Sequence, residues 1–69
     1  MEGTPVSSSN IASVGYDAAT ATLEIKFTNG NKYQYFDVPE GVYEELMHAL
    51  SPGQFLNSSI RGSFRYARV

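Results

Sequence analysis

Apolar and polar residues alternate from Leu23 to Val38, and this pattern predicts a β-hairpin onto which the rest of the chain packs. Its first arm has Leu23, Ile25 and Phe27 at every second position. A period of two places one face of a strand in a core and the other in water. The turn falls within residues 28–31, because Asn and Gly tolerate the positive φ angles that hairpin turns require.

The length of the turn decides which face carries Tyr33 and Tyr35, since a shift of one residue moves every side chain to the other face. A two-residue Asn29-Gly30 turn would set Lys26 opposite Tyr33 and leave both tyrosines in solvent. That register would also turn Lys32 and Gln34 inward.

A three-residue loop, either 28–30 or 29–31, instead places Tyr33 and Tyr35 on the same face as Leu23, Ile25 and Phe27. We favour this register because burying one large apolar side chain contributes roughly 1.5–3 kcal/mol. Tyr33 and Tyr35 are therefore predicted to lie in the core.

The chain before the hairpin divides into a lead and a strand. Residues 1–9 are small and polar and predict a flexible lead, so residues 10–69 form the single predicted domain. Residues 11–16 predict a first strand, and the Asp17 side chain can cap the turn that follows it.

A first helix is predicted to begin at Pro39, which suits the first helical position, and to end by Leu50. Its predicted buried stripe consists of Val42, Leu46, Ala49 and Leu50, widened by Tyr43 and Met47. Its predicted solvent-facing residues are Glu44, Glu45 and His48.

Residues 51–54 have the form of a capping box, in which Ser51 accepts from the backbone and Pro52 occupies the first helical position. The apolar contacts of this second, shorter helix would be Phe55, Leu56 and Ile60, and Gly62 would end it in the left-handed conformation. Apolar and polar residues alternate again over residues 63–69. This pattern predicts either a short last strand or an extended tail on a sheet edge.

Together these elements predict an α+β fold: a three-stranded antiparallel meander with two helices packed on one face, and room for a short fourth strand at the C-terminus. A chain of 69 residues makes one domain at most. It has no cysteine, no secretory signal pattern and no apolar run long enough to cross a bilayer, which favours a cytoplasmic protein.

Positive charge is concentrated at the C-terminal end. Residues 1–60 hold two lysines against seven acidic residues, a net −5, whereas residues 61–69 hold three arginines and no acid. These arginines alternate with aromatic rings, as in RNA-binding surfaces where guanidinium groups bind phosphates and rings stack on bases. The predicted RNA-contacting residues are Arg61, Phe64, Arg65, Tyr66 and Arg68, extended by Lys26 and Lys32.

Two alternatives to this interpretation remain open. Arg61 and Arg65 could instead form surface ion pairs with Glu44, Glu45 or Asp37. Tyr33 and Tyr35, which we expect to be buried, could instead form a stacking platform on the sheet.

Catalytic and metal-binding patterns are weak in this sequence. His48 is the only histidine, and no serine lies in a nucleophile-elbow context. Glu44 and His48 are spaced to share a helix face, but two ligands do not make a metal site. The glycines lack phosphate-loop spacing. We therefore expect no enzymatic activity, no metal and no cofactor.

The order of these elements resembles the KTSC domain family. The resemblance covers residues 8–69 and rests on residues 11–17, 23–27, 33–35 with the Tyr-x-Tyr motif, Val38-Pro39, 51–55 and 57–61. The family is named for its place at the C-terminus of some lysyl-tRNA synthetases and also occurs as stand-alone bacterial proteins. It has no established activity, and RNA binding is suggested by that synthetase fusion. Together with the charge split, the resemblance implies a small non-catalytic binding module that contacts RNA. The alternative is a protein-interaction module that uses the acidic face of the first helix or an unpaired strand edge.

Overall fold

The computed structural model describes residues 3–6 and 10–69, which form one antiparallel sheet and two short helices. The strands are β1 (Thr4–Pro5), β2 (Ile11–Asp17), β3 (Thr22–Phe27), β4 (Lys32–Tyr35) and β5 (Tyr66–Arg68). They lie in the sheet in chain order. The helices are α1 (Glu40–His48) and α2 (Pro52–Phe55), and α2 continues into a π-helical segment, Leu56–Ile60. The α+β class is confirmed, but the sheet has five strands rather than the predicted three or four.

The hairpin of β3 and β4 has the predicted register. Leu23 lies opposite Tyr35 and Ile25 opposite Tyr33, so the loop consists of residues 28–30. The Phe27 N–H donates to the Asn31 carbonyl at 2.8 Å, and Gly30 has a φ of 94°. A residue with a Cβ would be strained there, which explains why glycine ends this loop.

Strand β1 was not predicted. Thr4 pairs with Val14 and Pro5 with Ser13, which places part of the predicted lead on the edge of the sheet. Residues 1–2 and 7–9 of that lead lie outside the described residues. The proposed domain boundary at residue 10 therefore remains a prediction.

A β-bulge at Ala12 changes which residues of β2 face the core. Ile11 pairs with Phe27 and Ser13 with Lys26, which leaves Ala12 as the extra residue. Because of the bulge, Ile11 and Val14 both enter the core although they are three positions apart, at 1% and 0% exposure. Strict alternation alone would have placed them on opposite faces.

The hydrophobic core lies between one face of the sheet and the helices. Leu46 of α1 and Leu56 and Ile60 of the second helical stretch pack against strand residues in one cluster. The strand and loop members of that cluster are Ile11, Val14, Leu23, Ile25, Tyr35 and Val38. The predicted packing of the helices on one face is thus observed.

The first helix ends earlier than predicted. Pro39 is the N-cap residue rather than the first helical residue, and Ala49 is already extended with ψ at 143°. Leu50 therefore leaves the helical period and is fully exposed, which corrects its placement in the buried stripe. Glu44, Glu45 and His48 are exposed, as predicted.

The second helix begins as predicted but ends differently. The Ser51 Oγ accepts from the Gln54 N–H at 3.4 Å, and Pro52 occupies the first helical position. The end is a wide turn in which the Arg61 N–H donates to the Leu56 carbonyl at 2.8 Å. Gly62 does not adopt a positive φ. The predicted left-handed cap at Gly62 is wrong. The π turn already provides hydrogen-bond donors for carbonyls at the helix end, which a left-handed cap would otherwise have bound.

Tyr16 fixes the segment between the sheet and α1. Its hydroxyl donates to the Val38 carbonyl at 2.6 Å, and its ring stacks on Tyr43 with centroids 4.8 Å apart. Burial raises the pKa of Tyr16, and the carboxylates of Glu40 and Asp17 raise this pKa further. Asp17 also caps its own turn, since its Oδ1 accepts from the Ala19 N–H at 3.0 Å, as predicted.

Candidate functional site

A cleft of about 220 Å³ opens where the hairpin loop and the end of the sheet face the π-helical segment. We call it the aromatic cleft and define it by six of its lining residues, Phe27, Tyr33, Tyr35, Asn57, Arg61 and Tyr66. Its apolar surface comes from rings on three strands and from Leu56 of the π-helical segment. Its polar surface comes from the last helical turn and the hairpin loop.

The strand register brings the three tyrosines of the aromatic cleft together. Tyr35 lies opposite Tyr66, and both share a face with Tyr33. The Tyr66 ring centroid lies 5.7 Å from that of Tyr33 and 5.5 Å from that of Tyr35. Tyr33 also meets Phe27 edge-on at 5.6 Å. The rings thus form one continuous aromatic surface.

The tyrosines differ in exposure along this surface. Tyr35 is 3% exposed and belongs to the core, as predicted. Tyr33 is only partly buried, so the expectation that both rings are core holds fully for Tyr35 alone. Tyr66 is 55% exposed and is therefore the ring most accessible to a ligand.

Two arginines accompany these rings. Arg61 lines the aromatic cleft, and its Nη1 donates to Asn57 Oδ1 at 3.3 Å across one helical turn. Burial raises the pKa of Tyr35, while the positive charge of Arg61 acts in the opposite direction. Arg68 lies opposite Tyr33 in the sheet and so points to the same face. This face therefore combines aromatic and cationic groups.

Phe64 and Arg65 do not line the aromatic cleft. Phe64 is partly buried and packs against the core cluster. Arg65 Nη2 lies 3.2 Å from Asp37 Oδ2, with both side chains about four-fifths exposed (81% and 79%). The surface ion pair offered as an alternative for Arg65 is thus present, whereas Arg61 pairs with an asparagine rather than with an acid.

Lys26 and Lys32 lie on the opposite face of the sheet. They lie directly opposite each other on β3 and β4, on the face away from Tyr33 and Tyr35. Lys32 Nζ is 3.6 Å from Glu24 Oε1, and Gln34 Nε2 donates to Glu24 Oε2 at 3.1 Å. The two lysines therefore do not extend the arginine and tyrosine surface.

Sequence reasoning missed the polar lining of the aromatic cleft. Asn57 precedes Arg61 by four residues, a spacing that places both side chains on one helix face and was readable in the sequence. Asn29 and Asn31 also line the cleft. They were assigned only to the turn, where the Asn29 Oδ1 does accept from the Asn31 N–H at 3.0 Å.

Membrane-spanning helices and metal-binding clusters are absent from the described part of the chain. None of the helices in the described part of the chain has the length and apolarity that crossing a membrane requires. Across residues 3–6 and 10–69, no cluster of three or more His, Asp or Glu side chains is arranged to hold a metal ion.

The fold and the cleft define a small α+β domain with one antiparallel sheet, covered on one face by two short helices. The chain belongs to the KTSC domain family, whose model matches residues 7–64. A KTSC domain protein from Yersinia pestis has the same fold in its crystal structure, with a TM-score of 0.92 and 42% identity over 99% of this chain and 96% of that chain.

Relatives of this chain include small proteins and parts of much larger ones. A protein of Tsukamurella paurometabola is 43% identical over 61 residues, which are 88% of this chain and 91% of that protein. The lysine–tRNA ligases of Trichormus variabilis and Nostoc punctiforme are 43% and 41% identical over 54 and 59 residues. These matches cover 78% and 86% of this chain but only 10% of each ligase.

Proposed function

We propose that this KTSC domain is a non-catalytic module that binds single-stranded RNA at the aromatic cleft. The observation that carries the proposal is the pairing of β5 with β4, which sets Tyr66 opposite Tyr35 and Arg68 opposite Tyr33. Rings for bases and guanidinium groups for phosphates thereby share one face.

Tyr66 is the ring to which we assign base stacking. Its ring remains 55% exposed although it lies within 6 Å of the centroids of both Tyr33 and Tyr35. A stacked base contributes about 1–3 kcal/mol and is accepted with little sequence preference. Tyr33 widens the platform, whereas Tyr35 is too buried to stack on a base.

Arg61 and Arg68 are the cations to which we assign phosphate contacts. If each neutralises one phosphate, the logarithm of affinity should fall with the logarithm of salt concentration with a slope of about −1.4 on single strands. Arg65 contributes less in this proposal because its guanidinium group already contacts Asp37.

The relatives give independent support. Two of them are lysine–tRNA ligases, and their name gives tRNA as a substrate. A domain carried by such an enzyme works near RNA. Because the similar region is 10% of each ligase, this support concerns proximity to RNA and not the reaction of the whole enzyme.

The test is binding of short fluorescent single-stranded RNA, followed by anisotropy at low and near-physiological salt. Tyr66→Ala should weaken binding by about 5- to 150-fold. Arg68→Gln should reduce the salt slope to about −0.7. Lys26→Gln is the matched control, because it removes one positive charge from the opposite face of the sheet.

Two results would refute the proposal. One is the absence of binding at either salt concentration by the wild-type protein. The other is an equal loss of affinity in Arg68→Gln and Lys26→Gln, which would show that only overall charge matters. Circular dichroism of each variant ensures that a lost fold is not counted as lost binding.

A further inference from the structure

Strand β5 is an outer strand of the sheet, and its pairing shows which backbone groups are already used. The Arg65 carbonyl accepts from the Phe36 N–H, and the Val69 N–H donates to the Lys32 carbonyl, each at 2.9 Å. In an antiparallel pair, alternate residues direct both backbone groups to the same side. Residues 65, 67 and 69 therefore bond to β4, and residues 66 and 68 direct their groups outward.

No other strand covers this outer side within residues 3–6 and 10–69. The two edges of the sheet differ in chemistry. The β1 edge carries Pro5, and proline on an edge discourages further pairing. The β5 edge carries no proline and holds Tyr66 and Val69, two of the large apolar residues that remain exposed, at 55% and 62%. This edge is therefore suited to accept another strand.

We propose that the β5 edge pairs with the same edge of a second copy of this chain, antiparallel and about a two-fold axis at Ala67. In this register, Tyr66 of each copy forms a hydrogen-bonded pair with Arg68 of the other. All outward backbone groups of these two residues on both copies are satisfied, as an isologous interface requires.

Several registers would pair the outward backbone N–H and C=O groups of residues 66 and 68, and side-chain charge favours this one. Pairing Arg68 with Arg68 would place like charges directly opposite each other, which is destabilising. Pairing Tyr66 with Tyr66 would carry Arg68 beyond the end of the partner strand. The Tyr66–Arg68 register sets each guanidinium group beside a tyrosine ring of the other copy, a favourable cation–π arrangement.

The axis gives Ala67 a special position. Its own backbone groups bond to β4, so Ala67 meets Ala67 of the second copy as a non-hydrogen-bonded pair. The Cα atoms of such pairs are about 4.5 Å apart. This separation falls within the range that a disulfide can bridge, about 4.4–6.8 Å.

The first test is cross-linking of Ala67→Cys, which introduces one thiol into a chain without cysteine. Oxidised glutathione serves as the oxidant. The matched control is Ala18→Cys, an exposed position in the turn after β2. Ala67→Cys should form the disulfide-linked dimer at least about tenfold faster than the control, because pairing raises the effective thiol concentration. Equal rates would overturn the proposal.

The second test is sedimentation velocity over a range of protein concentrations. Arg68→Pro removes an outward N–H that β4 does not use, so the chain can keep β5 in place. Compared with Arg68→Gln, it should weaken dimerisation about 25-fold, since two hydrogen bonds are lost per dimer and each contributes about fivefold.

A wild-type protein that remains monomeric at every concentration would overturn the proposal, as would self-association that Arg68→Pro leaves intact. The Ala67→Cys test does not depend on the folding of the proline variant. Both tests are made without RNA, so their outcome is separate from that of the RNA-binding proposal.

Discussion

The two tyrosines of the Tyr-x-Tyr motif on β4 should differ in their contribution to stability, with Tyr35 contributing more than Tyr33. Replacing each in turn with alanine tests this prediction. Tyr35 is 3% exposed and lies opposite Leu23 in the core. Removing a fully buried aromatic ring costs about 3–5 kcal/mol. A 69-residue domain is stable by only about 3–10 kcal/mol. Tyr35→Ala should therefore remove about a third of this stability or more and unfold at a correspondingly lower urea concentration.

Tyr33→Ala should be tolerated better. The Tyr33 ring is partly buried and contacts Phe27 and Tyr66 at centroid distances of 5.6 and 5.7 Å. Losing part of its apolar burial and these ring contacts should cost about 1.5–2.5 kcal/mol. The variant should remain folded at 25 °C.

Urea unfolding followed by far-ultraviolet circular dichroism measures both costs, because the chain has no tryptophan for a fluorescence assay. The refuting result is an equal loss of stability in Tyr33→Ala and Tyr35→Ala. Tyr35→Phe is the conservative control, since it keeps the ring and should leave the free energy of unfolding within about 1 kcal/mol of wild type.

Four further predictions concern Tyr16, Asp37 and Gly30. Tyr16→Phe loses the hydrogen bond to the Val38 carbonyl and should lower stability by about 1–3 kcal/mol in urea unfolding. Because the pKa of Tyr16 is raised in the folded state, the contribution of Tyr16 to stability should be complete below about pH 10 and fall as the pH rises beyond it, and Tyr16→Phe should reduce the alkaline loss of stability. Asp37→Asn removes the charge of the exposed pair with Arg65 and keeps a residue that tolerates the positive φ of 58° at this position, so it should change the midpoint of thermal unfolding little, by less than about 1 kcal/mol in equivalent free energy. Gly30→Ala should lower stability by about 1–2 kcal/mol in urea unfolding, because its φ of 94° strains any residue with a Cβ.

Features governed by neighbouring residues were predictable from the sequence. The hairpin register followed from comparing the burial of two tyrosines with the burial of Lys32 and Gln34, and the structure confirms it. The cap at Ser51 followed from a four-residue pattern. In both cases the interactions that decide the structure involve residues within a few positions of the turn or the cap.

Features governed by distant contacts were not predictable in this way. Thr4 and Pro5 join the sheet only because the chain returns along β2. Leu50 fits the helical period but lies beyond the end of the helix, which stops at His48. The left-handed conformation predicted for Gly62 is not needed after a π turn. Periodicity identifies which residues would share a face, but it does not show where an element ends.

At the candidate site too, the sequence identified some of the residues, but their arrangement depends on the pairing of distant strands. Charge and composition pointed to Arg61, Tyr66 and Arg68, which the register of β5 brings to one face. The same reasoning included Lys26 and Lys32, although the predicted hairpin register already set them on the face away from Tyr33 and Tyr35. The strand pairing confirms that placement, so positive charge alone did not identify the residues that share the site.

The two proposals are connected by geometry. Residues opposite each other across an antiparallel pair share a face, so the two-fold axis at Ala67 would set the aromatic clefts of both copies on the same side of one ten-stranded sheet. Arg68 of each copy would then lie beside Tyr66 of the other, at the entrance of the partner's cleft. A single RNA strand could engage both clefts, and the second contact would form at a raised effective concentration. A short domain with few cations can gain affinity in this way without any additional positively charged residue.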